Sequence, residues 1–187
     1  MSKDLFFALW FFLPAGAANM VPVLVAKISW LKQYNAPIDF GRKFRGQRLL
    51  GPHKTLRGLI SGILAATFVV FLQQLLAQHY GAINHWTSGV DYKTLNVLIV
   101  GPLLGFGALA GDAIESFFKR QRKMPAGKGW FPFDQTDYII GGALAVAPFI
   151  HLTLRQYVIL IILWLIVHIV VNYIGYLLKI KDGSRLV

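Results

Sequence analysis

Five long apolar stretches constrain the fold of this chain more than any other feature. Only helices satisfy their own backbone hydrogen bonds inside a bilayer, and about 20 apolar residues of helix cross its hydrocarbon core. The stretches therefore predict an all-α membrane protein of a single domain, residues 1–187, built as a bundle of five transmembrane helices. The predicted spans are about residues 5–26, 58–77, 94–118, 135–154 and 156–178.

The first stretch contains several residues that disfavour a continuous helix: Pro14, Gly16, Asn19 and Pro22. We therefore expect an interrupted helix, of the kind tolerated where neighbouring helices or a water-lined cavity satisfy the freed backbone groups. A signal peptide is the alternative interpretation, because residues 15–17 resemble a cleavage site. The apolar run continues to Ala26, however, and that length favours a membrane span.

Composition narrows the functional classes. The chain has no cysteine, which excludes thiolate nucleophiles, iron–sulfur clusters and disulfides. Its formal net charge is +11, a value that in a soluble protein would suggest nucleic acid binding. With 56% hydrophobic residues, the charge instead indicates loops that face anionic lipid or a phosphate substrate, and we expect no nucleic acid partner.

The basic residues also predict the orientation. Sixteen of the nineteen Lys and Arg residues lie in three segments, 27–57, 119–128 and 179–185. Because loops rich in Lys and Arg stay on the cytoplasmic side, we expect the N-terminus outside, the C-terminus in the cytoplasm and two cytoplasmic loops between the spans. The protein is thus expected in the cell membrane, with its charged segments facing the cytoplasm.

Half of the eight acidic residues lie within residues 111–137, from the end of the third predicted span to the start of the fourth: Asp112, Glu115, Asp134 and Asp137. Asp134 is suited to be the N-cap of the fourth span. If the two helix ends fold against each other, the carboxylates converge and repel unless a cation joins them. A set of oxygen ligands without thiolates favours Mg²⁺ carrying a nucleotide or pyrophosphate. The alternative is a group of solvated ion pairs, each worth about 0–1 kcal/mol.

Hydroxyl and basic side chains stand beside these acids in two places. One group follows on the helix face that carries the first acid, at helical spacing: Ser116, Lys119 and Arg120. The other precedes the second span, where free backbone N–H groups and the helix dipole favour an anion: Lys54, Thr55 and Arg57. The basic residues of the first group would suit phosphates, while the second group could contact a phosphate or form a basic loop that faces the membrane.

The third span carries two pairs of glycines at small-xxx-small spacing, Gly101 with Gly105 and Gly107 with Gly111. Such pairs let helix backbones approach closely in a bilayer. Residues 105–110 also match the letters of a dinucleotide-binding fingerprint, but no strand precedes them. The glycines therefore predict close helix packing.

Several of these residues resemble a known signature. Ser116-x-x-Lys119-Arg120 followed by Asp134-x-x-Asp137 is similar to the signature of membrane CTP-dependent phosphatidate cytidylyltransferases. A fuller set resembles the archaeal branch, the CDP-archaeol synthases: Pro14-Ala15, Ala18-Asn19, Pro22, Lys54-Thr55, Arg57-Gly58, Gly111-Asp112, and Pro132 before Asp134-Gln135. His53 and Leu56 depart from this set, where a glycine and a tryptophan are expected.

The resemblance implies an enzyme that transfers CMP from CTP to a lipid phosphate, with Mg²⁺ as cofactor, giving a CDP-lipid and pyrophosphate. The implied lipid is the isoprenoid ether 2,3-bis-O-geranylgeranyl-sn-glycerol 1-phosphate, taken from the bilayer for phospholipid biosynthesis. The implied catalytic residues are Asp112, Asp134, Asp137, Lys119 and Arg120, of which the three aspartates would bind the metal. The implied nucleotide and phosphate contacts are Lys54, Thr55, Arg57 and Ser116, with Asn19 nearby. The resemblance assigns no role to Glu115.

Other functions remain open on the sequence. A cytidylyltransferase for diacyl phosphatidate would need the same charged residues, since only the lipid chains differ. A small ion-coupled transporter would carry ionisable residues near the bilayer midplane, whereas here they lie at the ends of predicted spans. A CDP-alcohol transferase would have an aspartate-denser motif, and a noncatalytic scaffold would give no reason for the acidic segment.

Overall fold

Six α-helices form most of the regular structure in the computed structural model, which describes residues 2–87, 89–125 and 128–177. They are α1 (Ser2–Val25), α2 (Leu56–His79), α3 (Gly81–Trp86), α4 (Val97–Gln121), α5 (Phe133–Val146) and α6 (Leu154–Leu177). A small antiparallel hairpin, β1 (Lys43–Phe44) with β2 (Gln47–Arg48), lies before α2 in a chain that was predicted to be all-α. Its two-residue turn forms because Arg45 and Gly46 both adopt positive φ, as a hairpin turn of this length favours.

Four helices of the described residues are long and apolar enough to cross a membrane: α1, α2, α4 and α6. Their bounds agree with four of the five predicted spans to within three residues. The fourth predicted span, 135–154, is different, because α5 ends at Val146 and has only 14 residues. At 1.5 Å per residue this helix is about 21 Å long, shorter than the hydrocarbon core of about 30 Å. Pro148 follows the end of α5 and cannot donate a helical hydrogen bond.

The first helix is continuous, so the expectation of an interrupted helix was wrong. α1 contains both Pro14 and Pro22 within its 24 residues. Each proline removes one intrahelical hydrogen bond, but packing against neighbouring helices stabilises the remainder. Phe11, Phe12 and Ala15 on this helix are all almost completely buried.

Glycine contacts show that α4 runs antiparallel to the helices on both of its sides. A Cβ on Gly101 would meet Thr67 of α2, and one on Gly62 of α2 would meet Leu109. On the other side, a Cβ on Gly107 would meet Ala145 of α5. The predicted close packing at the glycine pairs is confirmed, since one pair faces α2 and the other faces α5.

The last helix runs parallel to the first. Arg155 at the start of α6 pairs with Asp4 at the start of α1, at 2.7 Å. Further along, the Trp164 indole donates a hydrogen bond to the Ala8 carbonyl at 2.9 Å. Because α5 begins at the opposite end of the bundle, α5 and residues 147–153 together connect one end of the bundle to the other.

The segment before α2 folds around a buried acid. Asp39 accepts hydrogen bonds from the backbone N–H groups of Gly41 and Leu50 and from the Arg48 guanidinium, at 2.9–3.0 Å. Burial alone would raise the pKa of this carboxyl group, but the hydrogen bonds, above all the one from Arg48, lower it below its usual value. The charged carboxylate therefore fixes the conformation of residues 39–50.

Replacing Gly141 by Ala is expected to destabilise the contact between α4 and α5. The added Cβ would meet the Gly107 carbonyl oxygen and approach the Cα and N atoms of Gly111 to 2.9 Å. Because backbone atoms cannot rotate away, we expect the free energy of unfolding to fall by about 1–3 kcal/mol. Thermal unfolding in detergent measures this change. Gly81→Ala is the control, because a Cβ there meets no atom of the described residues within 4 Å; equal melting temperatures for the two variants would contradict the close approach.

Candidate active site

Three carboxylates converge where α4 ends and α5 begins. One oxygen from each of Asp112, Glu115 and Asp137 lies within 4.8 Å of the other two. The first two are three residues apart on one face of α4, and α5 supplies the third. The donors are all carboxylate oxygens, the ligands that hard cations such as Mg²⁺ and Ca²⁺ prefer. The chemistry of this cluster therefore fits a divalent metal ion.

Glycine makes this convergence possible. A Cβ on Gly111 would collide with the carbonyl oxygen of Asp137 and lie 3.2 Å from the Cα of Gly141. Only a residue without a side chain lets α5 lie this close to α4 beside Asp112. The small-residue spacing seen in the sequence thus has a direct consequence for the site.

The third acid of the cluster differs from the predicted metal set, which contained Asp134. In the structure Asp134 pairs with Lys119 at 2.7 Å and accepts a hydrogen bond from the Trp130 N–H at 2.8 Å. Glu115, to which no role was assigned, lies in the cluster instead and is 3.3 Å from Lys119. Lys119 therefore connects the acids of α4 to the start of α5.

The expected N-cap role of Asp134 was wrong. α5 begins at Phe133, so that Pro132 occupies the N-cap position without a side-chain hydrogen bond. Asp134 lies in the first turn of the helix, where a negative charge is favourable toward the helix dipole.

The segment before α2 is docked onto the acidic end of α4. Lys54 Nζ donates to a carboxylate oxygen of Asp112 at 2.5 Å, across 58 residues of sequence. The Gly51 N–H donates to the Ser116 hydroxyl oxygen at 2.9 Å. Two of the predicted contact residues, Lys54 and Ser116, thus hold this segment against the carboxylates.

The other two residues of this predicted group support the local structure. Thr55 is the N-cap of α2, and its side-chain oxygen accepts a hydrogen bond from the Gly58 N–H at 3.2 Å. Arg57 donates to the Leu31 carbonyl at 2.7 Å and so ties α2 to the chain that follows α1. Their predicted phosphate contacts remain predictions.

Arg120 and Arg122 contact residues of the connection from α4 to α5. Arg120 donates to the Pro125 carbonyl at 3.4 Å. The Arg122 guanidinium lies over the Trp130 ring, 4.7 Å from its centre, a favourable cation–π contact. The catalytic role expected for Arg120 also remains a prediction.

A polar cavity of about 1100 Å³ adjoins the cluster. This volume lies slightly above the usual range for small-molecule sites, about 300–1,000 Å³. The predicted residues that line it come from α1, the segment before α2, the start of α2, α4 and α5: Asn19, Lys54, Thr55, Arg57, Asp112 and Asp134. Residues far apart in sequence therefore face one space with groups of both charges.

Sequence reasoning missed several residues of this cavity. Gln135 lines the wall, is only 3% exposed, and its side-chain oxygen has no hydrogen-bond partner among the described residues. Its place in the motif beside Asp134 was the available signal. His168 and Asn172 of α6 also line the cavity; the available signal was their spacing of one turn within an apolar helix.

Several known proteins are similar to this chain over most of its length. A family model described as CarS-like, CDP-archaeol synthase, matches residues 1–184. A CDP-archaeol synthase of Methanocaldococcus jannaschii is 36% identical over 181 residues, covering 95% of this chain and 96% of that protein. One of Thermococcus gammatolerans is 35% identical over 176 residues, covering 93% and 92%. A solved structure described as an intramembrane enzyme for archaeal membrane lipids biosynthesis is similar with a TM-score of 0.68 and 29% identity, covering 89% of this chain and 92% of that one.

Proposed function

The chain belongs to the CarS-like family of CDP-archaeol synthases, and we propose that it transfers CMP from CTP to 2,3-bis-O-geranylgeranyl-sn-glycerol 1-phosphate. The products are CDP-archaeol and pyrophosphate. One observation carries the proposal beyond the family match: the carboxylate cluster adjoins a cavity that is also lined by Lys54 and Arg57. This combination suits a polyphosphate, because acids can bind its metal while basic groups neutralise its oxygens.

The reaction needs alignment and charge neutralisation more than a strong base. An oxygen of the lipid phosphate forms a bond to the α-phosphorus of CTP, and the bond from that phosphorus to the β-phosphate oxygen breaks, so that its electron pair leaves with pyrophosphate. A phosphate monoester is already largely anionic at pH 7, because its second pKa is about 6. The side chains therefore act by holding both phosphates in line and by stabilising charge.

The position of each polar residue in or beside the cavity indicates its role in the reaction. Lys54 lines the cavity and contacts Asp112, so it can neutralise a phosphate beside the acidic cluster. Lys119 holds Glu115 and Asp134 in place from the other side. Asn19 of α1 and Gln135 of α5 offer uncharged polar groups to the same cavity.

Asp112, Glu115 and Asp137 would hold the metal ion in this proposal. When bound there, Mg²⁺ would neutralise phosphate oxygens and favour departure of pyrophosphate. The carboxylates would fix its position, and Gly111 would keep α5 close enough for Asp137 to take part.

The proposed topology is five crossings with the site on the cytoplasmic side. Four helices have the length and hydropathy of spans, and α5 with residues 147–153 provides the connection between the two ends. Lys54 and Lys119 belong to the two basic stretches between predicted spans, and they lie at the same end of the bundle. The positive-inside rule then puts this end in the cytoplasm, where CTP is available, while the lipid arrives from the bilayer.

The test is an assay of purified protein in detergent with CTP, Mg²⁺ and a panel of lipid phosphates. We expect CDP-lipid formation with the unsaturated isoprenoid diether phosphate and its loss when EDTA removes the metal, because three carboxylates would then repel without a cation. Diacyl phosphatidate is the matched control, because it tests whether the enzyme distinguishes fatty acyl ester chains from isoprenoid ether chains. Equal turnover of diacyl and diether lipids would contradict the proposed substrate, and full turnover in EDTA would contradict the metal site.

A further inference from the structure

A second cavity lies next to the polar one and shares two wall residues with it. Ile38, from the segment before α2, and Ala113 of α4 line both cavities. The second cavity has a volume of about 580 Å³, within the range of small-molecule sites. A molecule that extends past Ile38 and Ala113 would thus occupy both spaces at once.

The walls of this second cavity are mainly apolar. One wall is α4, and the other is the segment that ends in Leu49 and Leu50. Two charged residues also belong to the lining. Arg42 is exposed at the surface, and the Asp39 side chain is only 1% exposed, with its oxygens taken by Arg48 and backbone N–H groups. The chemistry of the cavity therefore favours hydrocarbon over a polar ligand.

The two walls are fixed relative to each other, and the cavity opens outward. The Phe44 ring contacts the Phe117 ring, with 6.1 Å between their centres, and the Gly51–Ser116 hydrogen bond fastens the end of the segment to α4. Ile114 and Phe118, one turn apart near the end of α4, are 59% and 51% exposed. Since α4 is long and apolar enough to cross a membrane, exposed apolar residues on it would face lipid in a bilayer.

We propose that this groove binds a hydrocarbon chain of the lipid phosphate while the phosphate lies in the polar cavity. The inference rests on the proposed function, because it assigns the second part of the same substrate. A lipid phosphate has one strongly polar end and a long apolar one, and the molecule offers a polar and an apolar cavity that meet at Ile38 and Ala113. The groove then selects lipid phosphates by their chains, independently of the groups that bind CTP.

A binding experiment tests this assignment without relying on turnover. The chain has no cysteine, so Ile114→Cys introduces a single thiol in the groove, and Phe106→Cys, on the same helix and 52% exposed but in neither cavity lining, is the control. Without CTP, a long-chain isoprenoid diether phosphate at ten times its dissociation constant should slow maleimide labelling about tenfold at position 114 and leave position 106 unchanged. The same diether without phosphate tests for a general lipid site.

Kinetics of Ile114→Trp give the second measurement, with Phe106→Trp as control. Filling the groove should raise KM for the long-chain lipid phosphate about tenfold or more, while KM for CTP and turnover of a water-soluble short-chain diether phosphate stay unchanged. No protection at position 114, equal protection by the diether without phosphate, or equal loss with long and short chains would overturn the groove assignment. Protection at position 114 in Ile114→Cys, together with no CDP-lipid formation by the wild-type protein, would instead contradict the proposed function.

Discussion

Asp137→Asn is expected to lower CDP-lipid formation by at least about a hundredfold, because it removes one of the three carboxylates that would hold the phosphate-neutralising metal ion. Asp137 is the only member of the Asp112–Glu115–Asp137 cluster that α5 supplies. The amide has nearly the same size as the carboxylate, so the packing of α5 on α4 stays intact. Loss of one of three mutually repelling charges should leave the folded protein at least as stable as the wild type.

The measurement is turnover of CTP with the diether phosphate, paired with thermal unfolding of the same sample. Asp91→Asn is the matched control, because Asp91 is exposed and lies in the connection between α3 and α4, away from the cluster. We expect the control to keep wild-type turnover. Near wild-type turnover by purified Asp137→Asn would contradict the carboxylate site, whereas a much lower melting temperature would show that Asp137 has a structural role.

Lys119→Met is expected to reduce both stability and turnover. Lys119 is only 12% exposed and contacts Glu115 at 3.3 Å and Asp134 at 2.7 Å, so its loss leaves two acids without their shared cation. Breaking a buried pair by removing one partner costs about 3–5 kcal/mol, and the partial exposure of Asp134 puts our expectation near the lower end, about 3 kcal/mol. Turnover should fall because the start of α5, which carries Asp137, is no longer fixed against α4.

Two further variants complete this test. One separates charge from packing at position 119, and the other is a control elsewhere in the chain. Lys119→Arg keeps the positive charge and should retain most of the stability, and Lys93→Met removes an exposed lysine far from the acids as the control. Unfolding in denaturant measures the three free energies. If Lys119→Met unfolds at the same denaturant concentration as the wild type, the proposed connection between α4 and α5 is wrong.

Much of the fold could be predicted because apolar length and glycine spacing act locally. Four spans followed from the length of the uncharged runs, and the glycine pairs predicted the close approach of α4 to its neighbours. The end of α5 was harder to predict, because the apolar run continues past Pro148 to Leu154 while the helix does not. The continuity of α1 could not be predicted, because it depends on packing against neighbouring helices and not on the local effect of its two prolines.

The sequence predicted which residues form the site better than it predicted which of them contact each other. The acidic segment indicated which side chains could converge, but the rotation of α5 on α4 decides which acids meet, and that depends on backbone contacts at Gly111 and Gly141. This is why Glu115 lies in the cluster while Asp134 pairs with Lys119. The N-cap role of Thr55 could likewise not be predicted. A hydroxyl group just before a helix can bind an anion or accept a hydrogen bond from a backbone N–H of the helix.

The most direct test of the central claim follows two labels through the reaction. Purified protein is incubated with Mg²⁺, the unsaturated diether phosphate and CTP labelled at either the α- or the γ-phosphorus. We expect the α-label in the lipid fraction and the γ-label only in pyrophosphate, in equal amounts. Transfer of the γ-label to lipid would show a kinase reaction, and the absence of any label in lipid would contradict cytidylyl transfer by this site.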